Sequence, residues 1–290
     1  MSTTAAVFPT PVAEMQRIAN RLRIDIVEMI GAAGNGHPGG SLSEVELLIA
    51  LYFRVLRHNP KDPQWAGRDR FLLSKGHGCP ALYAVLAESG YIERPVLGTL
   101  RKLGSPLQGH PDRRFLPVLE ANTGSLGQGI SVGIGMALAA RLDHKDYHTF
   151  VMVGDGEIQE GQNWEAAMFA PYHKLTNLTV IVDYNYQQLD GFTKDILNVA
   201  PLKEKFLAFG WHAVDIDGHD LDQVIAALEE ARSGRNGKPT CIVAHTVKGK
   251  GVSFMENNPE WHGVAPKREQ VEAAVAELEA AAKKLAADSR

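Results

Sequence analysis

Cysteine is scarce: two in 290 residues, Cys79 and Cys241, with no metal-ligand spacing between them. That excludes a disulfide framework and a cysteine zinc site. It fits a reducing, cytoplasmic setting in which both thiols are buried as small apolar side chains. No apolar run approaches the ~18 residues of a membrane-spanning helix. The N-terminus lacks the charged-then-apolar pattern of a secretory signal. The formal net charge is only −4, with both signs mixed along the chain. No basic face is therefore expected for nucleic acid or an anionic membrane. Internal repeats and linker-like stretches are also missing. The length suffices for one large α/β domain or two small ones, and the pattern is read as a single domain over residues 1–290.

Helix and strand signals alternate. Ile18, Leu22, Ile26 and Ile30 recur at helical spacing within Val12 to Ala32, after a Ser/Thr/Ala/Pro-rich stretch expected to form a loose arm over about residues 1–12. Further helices are expected at Ser43–Val55, Pro80–Ser89, Gly127–Arg141, Trp164–His173, Asp220–Arg232 and Lys267–Ala287. Strands are expected at His148–Val153, Leu178–Val182, His212–Asp217 and Thr240–His245. The fold class is α/β: a mainly parallel sheet with helices on both faces.

Two strands end in oxygen ligands. Gly154-Asp155-Gly156 follows the apolar run HTFVMV, and Asn185 follows LTVIV about thirty residues later. Both would lie at the carboxyl edge of one sheet, where open α/β sheets bind ligands. A carboxylate and an amide oxygen suit Mg²⁺ or Ca²⁺ better than zinc. Gly156 is read as opening a helix whose amides hold a phosphate. The combination points to a diphosphate bridged to the protein by a divalent metal.

Four histidines sit in turn-rich, glycine-flanked settings: His37 (NGHPGG), His77 (SKGHGCP), His110 (QGHPD) and His262 (EWHGVAP). Such surroundings place an imidazole at a cleft, where it can bond a polyhydroxylated substrate and move protons near neutral pH. The other seven histidines are read as ordinary exposed residues. TGSLGQG (123–129) is a glycine-rich loop entering a helix. KGKG (248–251) follows a strand, and its Lys248 could reach a phosphate, although the segment lacks the lead-in and Ser/Thr of a P-loop. Glu157, Glu160 and Glu165 cluster after the Gly-Asp-Gly turn, where acidic residues often only complement a helix dipole.

Taken together, these residues resemble the thiamine-diphosphate enzymes and, within them, transketolase. Gly-Asp-Gly to Asn resembles the coenzyme motif of the whole superfamily. GNGHPGG, RDRFLLSKGHG, QGHPD, TGSLGQGIS, HTVKGKG and WHGVAP are similar to transketolase segments in the same order, over nearly the whole chain. The resemblance implies the following roles. Asp155, the Asn185 side chain and the Gln187 backbone carbonyl hold the metal, Mg²⁺ or alternatively Ca²⁺. Glutamine departs there from the usual aliphatic residue, which a backbone ligand tolerates. Gly156 gives an amide to the diphosphate. His77, Lys248 and His262 contact the coenzyme, and Gly124, Ser125 and Leu126 line its aminopyrimidine pocket. His37, His110 and His262 face the sugar hydroxyls, and Glu160 joins a carboxylate network linking two active sites.

The resemblance also implies what lies elsewhere. It covers only the pyrophosphate-binding part of a full transketolase. A separate chain with the pyrimidine-binding and C-terminal domains would complete the site, in an α₂β₂ assembly acting on sugar phosphates. The implied reaction moves a two-carbon ketol unit from a ketose to an aldose. Competing readings are a split enzyme for an unusual ketose in sugar degradation, the α chain of a 2-oxo acid dehydrogenase, deoxyxylulose-phosphate synthase, and a coenzyme-binding paralogue without turnover. The dehydrogenase α chain does not usually carry the GHPGG and SKGHG histidines. The synthase is normally one long chain.

Overall fold

The computed structural model describes residues 10–288. The expected N-terminal arm lies almost wholly outside them, and helix α1 begins at Val12. In chain order the elements are α1 (Val12–Ala33), α2 (Pro38–Ser43), α3 (Val45–Ala50), β1 (Arg70–Leu73), α4 (Cys79–Glu88), α5 (Gly129–Leu142), β2 (Thr149–Gly154) and α6 (Gly161–Tyr172). There follow β3 (Leu178–Tyr184), β4 (Gln187–Gln188), β5 (Gly191–Phe192), α7 (Thr193–Ile196), α8 (Leu202–Ala208), β6 (His212–Asp217), α9 (Leu221–Ser233), β7 (Thr240–His245) and α10 (Arg268–Asp288).

Strands β1, β2, β3, β7 and β6 form one sheet in that order, every pair parallel. Side chains alternate between two cores although the central strands read as unbroken apolar runs. Phe150 and Met152 of β2, Ile181 of β3 and Ile242 of β7 pack with α1, α3, α4 and α9 on one face. Val151, Val153, Val180, Val182, Cys241 and Val243 pack with α5, α6 and α8 on the other. A strand buried on both faces has no polar side to show, so its period-2 signal vanishes from the sequence. Helix α5 lies close on β2: a Cβ at Gly133 would stand 2.4 Å from the Val151 side chain. Both cysteines are buried, as expected. Among the described residues no helix is long and apolar enough to cross a membrane.

Local signals worked best where a cap was written into the chain. Asp220 accepts the Asp222 and Gln223 amides at 3.0 and 3.2 Å to start α9, and Gly234 ends it in the left-handed region at φ 61°. Three expectations need correction. The helix expected at Ser43–Val55 starts earlier, at Pro38, and is broken at Glu44 (φ −92°, ψ 4°) into α2 and α3, with a π-helical turn over Leu51–Val55. Pro38 fits at the first helical position, where no amide hydrogen is needed. Gly156 opens only a short 3₁₀ turn, Glu157–Gln159, and α6 begins at Gly161. The seven remaining histidines are not all exposed: His148 is 3% exposed, its Nε2 2.8 Å from the Thr179 hydroxyl. Strand β1 was not foreseen, because three apolar residues are too few to declare a period.

Candidate active site

The carboxyl ends of four adjacent strands supply one cavity of about 400 Å³. Lys75 and His77 follow β1, Asp155 and Gly156 follow β2, Asn185 and Gln187 follow β3, and Lys248 follows β7. Parallel pairing is what brings them together, since every strand delivers its carboxyl end to the same edge. His37, His110, Gly124, Leu126, Glu160 and His262 complete the lining. Of the residues given site roles from the resemblance, only Ser125 lies outside it, exposed on the glycine loop. Glu160 is exposed at the cavity edge.

The oxygen donors of the cavity are candidates to hold a cation. Asp155 is 1% exposed, and its Oδ1 is buried with no hydrogen-bond partner. Its Oδ2 accepts from the Thr193 hydroxyl at 3.2 Å. Burial, and then the nearby Asp183 carboxylate, push the Asp155 carboxyl up to about 7, against the pull of Lys248. The Asn185 amide nitrogen is turned away, donating to Asp183 at 3.2 Å and Ser43 at 3.4 Å. Its oxygen receives only the long bond from the Gln187 amide, 3.3 Å. Gln187 heads a two-residue hairpin with Phe192 opposite. Gly156 lets that hairpin approach: a Cβ there would stand 2.6 Å from the Gln188 Cβ and 3.7 Å from the Gln187 carbonyl oxygen. No group of three His, Cys, Asp or Glu side chains among the described residues could hold a metal. The cavity instead offers one carboxylate with amide and carbonyl oxygens, a hard-ligand set that leaves positions for a diphosphate and suits Mg²⁺.

The four loop histidines line the same cavity. Ring centroids lie 5.2 Å apart for His37–His77, 5.5 Å for His37–His262, 5.3 Å for His77–His262 and 6.3 Å for His37–His110. Burial is the leading cause that lowers all four pKa values: to about 4 for His37, to about 3 for His262, well below the usual range for His77, and downward for His110. Nearby positive groups add to it, Lys248 for His262 and Arg101 for His37 and His110. The cluster is therefore neutral at pH 7, with each ring holding one donor and one acceptor nitrogen. Lys248 Nζ donates to His262 Nδ1 at 2.7 Å, which puts the His262 proton on Nε2. His37 Nδ1 is buried without a partner among the described residues.

Beneath the cavity lies a charge cluster that sequence reasoning missed. Lys75 is 1% exposed and donates to the Gly40 carbonyl at 2.9 Å and to Asp183. Its Nζ is also 2.8 Å from Glu44 Oε2. Ser43 donates to Asp183 Oδ2 at 2.6 Å, and Thr246 donates to its other oxygen. Glu157, expected only to complement a helix dipole, is 2% exposed. It accepts from Ser74, the Gly127 amide (2.9 Å) and the Gly154 amide (3.1 Å), tying β1, the glycine loop and β2 together. The available signal was a lone charge inside an apolar run, as at Glu44 and Asp183, which is tolerated only with a buried partner.

Comparison with known proteins agrees with this geometry. The family described as "Transketolase, thiamine diphosphate binding domain" matches residues 14–285. The chain belongs to the transketolase family. It is 48% identical over 266 residues to a 6-deoxy-6-sulfo-D-fructose transketolase subunit of Clostridium sp. (strain MSTE9), covering 92% of this chain and 96% of that one. It is 45% identical to one of the subunits of the apulose-4-phosphate transketolase of Actinobacillus succinogenes, covering 91% and 96% respectively. The crystal structure of transketolase from Campylobacter jejuni superposes with a TM-score of 0.87 at 33% identity, over 93% of this chain but only 43% of that one. This transketolase-family chain thus matches separate subunits nearly from end to end and less than half of a single-chain enzyme. It is an enzyme subunit of the thiamine-diphosphate-dependent, ketol-transferring type.

Proposed function

We propose that this chain is the pyrophosphate-binding subunit of a two-chain, cytoplasmic transketolase, its residues 1–290 forming one coenzyme-binding domain. Asp155, Asn185 and the Gln187 carbonyl would hold Mg²⁺, and Gly156, His77 and Lys248 the coenzyme phosphates. Gly124, Ser125 and Leu126 would border its aminopyrimidine end. The observation that carries the reading is the single cavity that holds an unpartnered buried carboxylate oxygen and four neutral histidines. The bound coenzyme supplies the electron sink for cleaving and forming the carbon–carbon bond, and the protein supplies orientation and proton transfer. His37 offers a donor and an acceptor to sugar hydroxyls. His262, its Nδ1 taken by Lys248, can only donate from Nε2. That favours His110, at the open side, as the group taking a hydroxyl proton.

Exposed Glu160 at the cavity edge supports completion of the site by another chain, in an α₂β₂ assembly that would bury it. The relatives matched over nearly their whole length are named for 6-deoxy-6-sulfo-D-fructose and apulose 4-phosphate, which favours a donor ketose outside the common pentose phosphates. The test is ketol transfer by the chain alone and by the assembly isolated through a tag on it. Donors would be xylulose 5-phosphate, 6-deoxy-6-sulfo-D-fructose and apulose 4-phosphate, with Mg²⁺ and thiamine diphosphate present. Activity confined to the assembly is expected; full activity of the isolated chain would refute the two-chain site. His110→Ala should keep coenzyme affinity and lose ~10²–10⁴ in turnover.

A further inference from the structure

Tyr186 stands between two proposed metal ligands, Asn185 and Gln187, and its backbone is left-handed at φ 65°. That conformation is unfavourable for a bulky L residue and persists only when its surroundings enforce it. The turn has consequences on both sides. The Tyr186 carbonyl accepts the Thr193 amide at 2.9 Å, and the Thr193 hydroxyl donates to Asp155 at 3.2 Å. The residues flanking the turn are buried at the cavity, 5% exposed for Asn185 and 3% for Gln187, while Tyr186 itself is 42% exposed.

What holds the turn lies outside the coenzyme cavity. The Tyr186 hydroxyl is 2.6 Å from His245 Nδ1, and His245 Nε2 is 3.0 Å from Asp215 Oδ1. An Nε2–H donated to the carboxylate leaves Nδ1 as acceptor for the phenol, so the three groups form one directed chain. The Tyr186 ring packs on Tyr184 at 4.4 Å and stacks over His245 at 5.9 Å with an interplanar angle of 28°. His245 ends β7 and Asp215 belongs to β6, so the anchor is the rigid sheet. All three line a second, open cavity of about 590 Å³.

We propose that Tyr186 is a positioning residue, clamped by His245 and Asp215 so that its left-handed turn aims Asn185 and the Gln187 carbonyl at the cation. The inference rests on the assignment of those two residues as metal ligands. Outer groups that orient ligands are commonly worth ~10–100-fold in metal affinity.

The test is calorimetric titration of thiamine diphosphate, at fixed Mg²⁺, into the assembly purified through a tag on this chain. Variants are Tyr186→Phe, His245→Gln, their combination, Tyr186→Ala and Tyr186→Gly, each checked for folding by thermal melting. Tyr186→Phe and His245→Gln should each raise the dissociation constant about tenfold. The double variant should stay within about twofold of the weaker single one, because both remove the same clamp. Tyr186→Gly should bind more tightly than Tyr186→Ala, since glycine adopts the left-handed turn without a clamp; a purely packing role predicts no such order. Single variants indistinguishable from wild type, or alanine binding as well as glycine, would overturn the inference. No Mg²⁺-dependent binding by the wild type would overturn the ligand assignment and this inference with it.

Discussion

Removing the Lys75 ammonium should unfold the sheet edge before it disturbs any chemistry. Three ionisable groups meet there with almost no solvent: Lys75 at 1% exposure, and Glu44 and Asp183 at 0%. They do not carry three charges. Burial pushes the Glu44 carboxyl up to about 8 despite Lys75, with Asp183 pushing the same way. Asp183 goes the other way: burial opposes its charge, but Lys75 and the hydrogen bonds from Lys75, Ser43 and Thr246 win and hold it below the usual range. At pH 7 the cluster is therefore a Lys75–Asp183 ion pair beside a largely protonated Glu44. Breaking a buried pair by deleting one partner costs about 3–5 kcal/mol, because the survivor is left uncompensated. Lys75→Met and Asp183→Asn should each cost that much, whereas Glu44→Gln should cost under about 1 kcal/mol near pH 4.5 and become a net gain by pH 7, because it replaces a neutral acid by a neutral amide in the fold and removes a carboxyl that ionises on unfolding.

The pH dependence sharpens the contrast. A carboxyl at about 8 in the fold and near 4.5 when unfolded keeps its proton only in the native state between those values. Raising the pH through that window therefore destabilises the wild type, by about 1.4 kcal/mol per pH unit for one such group. Glu44→Gln has no such proton, so its stability relative to wild type should climb from pH 5 to 8. Urea unfolding followed by tryptophan fluorescence at four pH values reads both effects. Parallel pH curves for wild type and Glu44→Gln, or a Glu44→Gln penalty at pH 7 equal to that of Asp183→Asn, would refute the charge assignment.

Three further outcomes are expected. Arg23→Met should cost about 3–5 kcal/mol in the same unfolding assay, because Arg23 meets both Glu46 oxygens at 2.7 Å and supports the Lys250 carbonyl at 3.0 Å. His148, lowered to about 3 by burial, takes no proton in the fold, while the unfolded chain takes one below about 6.5. Its contribution is therefore absent at neutral pH and grows as acid is added, near 1.4 kcal/mol per pH unit, and His148→Gln should show a shallower loss of stability between pH 6 and 4. Gly156→Ala should fold yet bind thiamine diphosphate about tenfold or more weakly by calorimetry, since overpacking of about 1–3 kcal/mol falls on the Gln187–Gln188 hairpin; unchanged affinity would show that the hairpin yields.

How much of this was legible in the chain depended on whether a residue's constraint was local. Asp155 and Asn185 could be read as neighbours in one cleft because strand ends, glycines and oxygen-bearing side chains sit side by side in sequence, and parallel pairing then fixed their meeting place. The histidines could be read as cleft residues from their glycine and proline neighbours. Their shared neutrality could not, because it comes from mutual burial among loops separated by up to 225 positions, His37 to His262. Lys75 lies inside the SKGHG segment, yet its role could not be read there, since its partners come from α2–α3 and the end of β3. The Tyr186 turn was invisible for a related reason: nothing in NYQQ announces a left-handed residue, and the clamp holding it is assembled from two other strands. The candidate ligands are thus written locally in this fold, whereas the charge compensation and backbone contacts around them are properties of the sheet order β1-β2-β3-β7-β6. A change in that order would leave every motif in place and separate Asp183 from Thr246, and Tyr186 from His245, which is why the motifs need this topology to act as a site.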